Sequence, residues 1–80
     1  MTQARDSIPL SDCLPGESGT VVHVHGDGPV TQRLLEMGLV EGTALRVVRV
    51  APLGDPMEIE LHNYLLSLRK AEAKHVEVAR

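Results

Sequence analysis

Two histidines, His23 and His25, stand at alternate positions of a β-branched run from Thr20 to His25. In an extended strand alternate side chains leave the same face, with backbones about 7 Å apart, so both imidazoles come within reach of one metal ion. Two nitrogens alone bind weakly. A closed zinc site takes four ligands, and the others would come from Asp27, His62, His75, an acidic side chain, water or a second molecule. The sequence therefore allows a divalent ion such as Zn²⁺ at the surface, and a metal-responsive module that dimerises through His23 and His25.

A second group of candidates suits contact rather than coordination. The run Pro52, Leu53, Gly54, Asp55, Pro56 lacks a backbone donor at both prolines and cannot continue a central ladder, so it is a turn or open loop. It projects Leu53 outward and holds Asp55 in front of Pro56, where the carboxylate either caps the turn or meets a partner. Leu53, Gly54, Asp55 and Pro56 are candidate partner-binding residues. The adjacent cations Arg69 and Lys70 add a basic spot for an acidic partner or lipid headgroups, or are simply a solvated face. Catalysis has less to work with. There is no glycine-rich phosphate loop and no Ser or Cys at motif spacing from a base, while Glu58 and Glu60 leave one exposed strand face. The expectation is a protein that is not an enzyme and requires no cofactor.

The elements that must hold these residues are short. Ser11 is placed to cap a helical turn ending at Leu14, and Pro15 and Gly16 suit a type II turn. Along Thr20 to His25 the alternation sets Val22 and Val24 on one face and Val21, His23 and His25 on the other. Gly28 and Pro29 open a helix running to about Met37, with Val30, Leu34 and Met37 on one stripe, and Gly38 closes it with Leu39 folding back onto Leu34. Glu41 and Gly42 make a turn. Thr43 to Ala51 reads as a long strand whose alternation slips at Val47 and Val48, which predicts a bulge. Met57 to Leu61 and Tyr64 to Arg69 form a hairpin about His62 and Asn63. A helical turn over Lys70 to Lys74 and a last strand through Val76 and Val78 follow. About five strands with one short helix and one or two helical turns predict a mainly β fold, a small barrel without free edges.

Eighty residues carrying 42% hydrophobic and 24% charged residues, at net charge −3, make one small domain, expected over 8–80 behind a flexible amino-terminal tail of residues 1–7. No stretch is long and apolar enough for a bilayer helix, and the start lacks the regions of a signal peptide, so a cytoplasmic protein without membrane insertion is expected. Cys13 is the single cysteine; it excludes an internal disulfide and reads as a small apolar residue. The core must be aliphatic, for the chain has no Trp, no Phe and one Tyr. That composition, with mild acidity, argues against nucleic-acid binding, which uses a basic stripe and stacking aromatics. It also argues against proline-rich peptide grooves, which are walled by aromatic rings.

The run Arg33 to Leu39, then Gly42 and Thr43, followed by Ala51 to Pro56, resembles the FeoA family. Leu10, Leu14, Gly16 and Glu17 are similar to that family's opening, and Leu66 to Lys70, Ala71 to Ala73 and Val76 to Val78 to its close. The resemblance departs at His62 and Asn63, where a glycine is common. It implies an SH3-like β-barrel. It also implies a small cytosolic component of bacterial ferrous-iron uptake, acting as a regulator or scaffold beside the FeoB GTPase transporter and binding its cytosolic part.

Overall fold

A computed structural model describes residues 7–80. The chain runs through β1 (Ser7–Pro9), a 3-10 turn (Leu10–Asp12), β2 (Ser18–Val24), α1 (Pro29–Glu36), β3 (Ala44–Val50), β4 (Met57–Leu61), β5 (Tyr64–Leu68), α2 (Lys70–Ala73) and β6 (Val76–Ala79). All neighbouring strands are antiparallel, and the sheet order is β1-β6-β2-β3-β4-β5. The mainly β class with one short helix matches the expectation from sequence. Two features differ. There is a sixth strand, β1, which takes in Ser7 from the expected tail; residues 1–6 lie outside the described residues. The sheet also stays open, with β1 and β5 as edges where a barrel without edges was expected.

Bulges decide which side chains face inward. The predicted slip in β3 is present: Val47 faces Ile59 and Arg49 faces Glu58, so Val48 is the extra residue. A second bulge lies in β2, where Val21 faces Val78 and His23 faces Glu77. It corrects the expected faces. Val21 and Val24 are both buried while Val22 is half-buried, because the extra residue brings Val21 round to the core side and leaves His23 outside.

Helix α1 starts and stops as its residues dictate. Gly28 caps it at φ 111°, Pro29 occupies the first turn, and Gly38 at φ 104° takes the left-handed conformation. The Leu39 N–H donates to the Leu34 carbonyl at 3.1 Å and the Gly38 N–H to the Leu35 carbonyl at 3.0 Å, which is the Schellman pattern. Leu34 and Leu39 are fully buried. The buried stripe differs from the expected one at a single position: Leu34 faces the core and Met37 packs against it as expected, but Thr31 takes the place of Val30, which stays exposed. Thr31 can be buried because its hydroxyl donates to the His25 carbonyl at 2.9 Å.

Ser11 caps nothing; it lies inside the 3-10 turn, whose flanking residue is Pro9. That turn pushes Leu10 fully into the core, beside Val76 and Val78 in one aliphatic cluster. Each such leucine contributes on the order of 1.5–3 kcal/mol relative to exposure. The Pro15 and Gly16 turn forms as expected, with Gly16 at φ 90° and the Glu17 N–H bonded to the Leu14 carbonyl.

Candidate functional site

The loop between β3 and β4 is a tight turn. The Gly54 N–H donates to the Ala51 carbonyl at 2.7 Å, with Pro52 and Leu53 at its tip. Leu53 is 91% exposed, the most exposed of the large apolar residues. Asp55 does not cap its own turn. Its Oδ1 instead accepts the Lys70 N–H at 3.0 Å, the first donor of α2. That bond draws the two ends of the β4–β5 hairpin together and makes one patch of Leu53, Gly54, Asp55, Pro56, Arg69 and Lys70. All six are exposed or partly exposed.

Glu72 fixes the far side of this patch. Its Oε1 accepts the Arg69 N–H at 2.9 Å, and its Oε2 meets the Arg33 guanidinium from α1. One carboxylate therefore starts α2 and ties it to α1. Glu72 is buried although it is charged, which such pairing permits. Sequence reading missed it; the only local signal is an acidic residue three positions after Arg69.

His23 and His25 leave the same face as expected, with ring centroids 4.6 Å apart at 78°. Each also meets a carboxylate. His25 Nε2 lies 2.6 Å from Glu77 Oε1, and His23 Nδ1 lies 3.5 Å from Glu41 Oε2. Glu77 accepts the Ser7 hydroxyl at 2.8 Å as well, and these hydrogen bonds, His25's foremost, lower its carboxyl below the usual range. Glu41 and Glu77 were not singled out from sequence, because strand pairing rather than spacing brings them there. Among the described residues no three His, Cys, Asp or Glu side chains converge on a point that could hold a metal ion. His62 lies in the hairpin turn against Gly38, and His75 beside Gly26. The histidines are thus an open pair, and a four-ligand centre would need groups from outside the described residues.

An open groove of about 540 Å³ crosses the sheet, lined among others by Thr20, Ala44, Arg46, Glu60, Asn63 and Arg80. Its cations are already engaged, Arg46 by Glu60 and Arg80 by Glu17, each at 2.9 Å. Of the candidate partner-binding and metal-ligating residues, only His62, one of the possible further ligands, lines it. Cys13 is buried, and desolvation pushes its thiol above the ordinary range, so it behaves as the small apolar residue expected.

An open antiparallel sheet with one short helix, an aliphatic core and its distinctive groups on turns defines a small SH3-like domain. The chain belongs to the FeoA family: the FeoA domain matches residues 8–80. It is 41% identical over 69 residues to an Fe(2+) transport protein A/Fe(2+) transporter FeoB fusion protein of Porphyromonas gingivalis. That match covers 86% of this chain but 8% of the fusion protein's length. The FeoA-like protein from Clostridium acetobutylicum superposes with a TM-score of 0.85 at 35% identity, over 98% of this chain and 87% of the other. Stenotrophomonas maltophilia FeoA complexed with zinc, described as a prokaryotic SH3 domain protein, gives 0.78 at 32% identity, over 89% and 88%.

Proposed function

We propose that this chain is a non-catalytic, cytoplasmic accessory protein of ferrous-iron uptake, which docks on the cytosolic part of an FeoB-type GTPase transporter and modulates its assembly or activity. The observation that carries this reading is the single patch formed by exposed Leu53 with Arg69 and Lys70, held by the bond from Lys70 to Asp55. It offers an apolar tip on a tight turn beside two cations at the start of α2, which suits a protein partner better than a small substrate. The fusion relative, whose name joins an FeoA and an FeoB unit in one chain, supports the choice of partner. Binding of the purified cytosolic domain of an FeoB-type transporter, measured with and without guanine nucleotide, tests the reading. Leu53→Ala and Lys70→Glu are expected to weaken it at least about tenfold. Absence of binding in every nucleotide state would remove this function.

A second reading is favoured by the adjacent rings of His23 and His25. It is a divalent-metal-responsive module, with ligands from a second copy completing a site that two imidazoles begin. Calorimetry with Zn²⁺ on the His23→Ala, His25→Ala double variant decides it: unchanged metal affinity and oligomeric state would eliminate it.

A further inference from the structure

Strand β5 pairs with β4 on one side, and no described strand lies on its other side. Leu61 faces Tyr64 across the two-residue turn, and the register continues unbroken to Met57 facing Leu68. In such a ladder the peptide groups of Tyr64, Leu66 and Leu68 point to β4, and those of Leu65 and Ser67 point away. Two donors and two acceptors therefore lie open along the edge.

Free edges are ordinarily blunted by charge, proline, bulges or a covering segment. The edge at β1 has only three residues, one of them Pro9. β5 has five, Tyr64-Leu65-Leu66-Ser67-Leu68, with no charge, proline or bulge, and with Tyr64 and Leu65 44% and 59% exposed. The charge lies just past its end. Among the described residues Arg33, Arg46, Arg49 and Arg80 each hold an ion pair, whereas Arg69, Lys70 and Lys74 hold none. Two carboxylates stand near these three. Asp55 is bonded to the Lys70 backbone, and Glu72 to the Arg69 backbone and to Arg33.

We propose that the β5 edge receives an extended segment of the partner as a seventh strand, uncharged along Leu65 to Ser67 and bearing an acidic side chain where it passes Arg69 and Lys70. This rests on the docking reading above and gives that docking its chemistry: main-chain bonds supply affinity, and the cations set the register. A second copy of this chain fits less well. Two β5 strands paired antiparallel about Leu66 would set Arg69 against Asn63 and Lys70 against His62, leaving the cations uncompensated.

The experiment uses the full chain and the purified cytosolic domain of an FeoB-type transporter. Ser67→Pro removes an outward donor and spares the β4 ladder; Leu65→Lys blunts the apolar edge and leaves the backbone intact. Each is expected to weaken binding at least about tenfold, with the melting transition retained. Lys70→Glu should weaken binding and flatten its salt dependence. Should Ser67→Pro fail to fold, Leu65→Lys decides alone. If Leu53→Ala and Lys70→Glu weaken binding while both β5 variants bind as wild type, the added strand is overturned and the docking reading stands. If the wild-type chain does not bind, both fall. Self-association abolished by Ser67→Pro, with transporter binding intact, would assign the edge to a second copy and overturn the proposal.

Discussion

Glu72 and Asp55 both satisfy donors at the start of α2, a helix of only four residues that could not stand on propensity alone. Removing the Glu72 carboxylate leaves the Arg69 N–H without its acceptor and the Arg33 guanidinium without its counter-charge. Glu72→Ala should therefore cost about 1–2 kcal/mol, read as a lowered urea midpoint at unchanged slope. Cys13 makes an independent prediction. Its raised thiol and its burial mean that alkylation by iodoacetamide should be slow in the native protein and fast in urea. At this scale the sequence disclosed pairs set by local spacing, such as His23 with His25. It did not disclose Glu77, because its partner His25 is fifty-two positions away and only the β2–β6 pairing joins them.

Among the elements, legibility followed the same physics. In β3 the neighbours Val47 and Val48 broke the alternation, and the bulge could be read directly. In β2 the residues Val21, Val22 and Val24 fit two registers equally well, and only pairing with β6 selects the one that buries Val21. In the stripe of α1 only the Thr31 position is illegible, because Thr31 counts as polar until a carbonyl receives its hydroxyl. The β4–β5 turn holds His62 at φ 52° and Asn63 at φ 68°, both in the left-handed region. Histidine enters that region at more cost than asparagine, so His62→Asn should stabilise the protein by a few tenths to about 1 kcal/mol in denaturant unfolding. Gly38→Val should do the reverse. Its φ of 104° disfavours a β-branched side chain whatever space surrounds it, so a loss of at least about 1 kcal/mol is expected.

The whole molecule is joined across its termini by the β1–β6–β2 pairing, where Ser7, Glu77 and His25 form one hydrogen-bonded chain. Glu17 is similarly held below its usual range, by the Leu14 N–H first and by Arg80 as well. Both carboxylates bind protons more weakly folded than unfolded. The stability they lend is complete above the ordinary glutamate range and is lost as pH falls through their lowered values. Thermal melts over an acid series should therefore slope downward, and Glu77→Gln should flatten part of that slope. Both groups are exposed enough that salt will reduce the effect. The strand-rich class is legible in the residue pattern, whereas short strands usually hide their edges and so suggest closure. Here β1 ends the sheet on one side and β5 on the other. Their failure to meet is a matter of three-dimensional curvature, which no local pattern carries.

The Tyr64 hydroxyl donates to the Met37 carbonyl and so fastens the β4–β5 hairpin to the end of α1. Since the chain has one tyrosine, no tryptophan and no phenylalanine, its ultraviolet emission reports on the surroundings of Tyr64 alone. The unlabelled protein therefore carries its own single-site optical gauge. Because Tyr64 also opens the free edge, a change in its emission on mixing with a peptide free of tyrosine and tryptophan would time the arrival of a strand there, without any introduced dye.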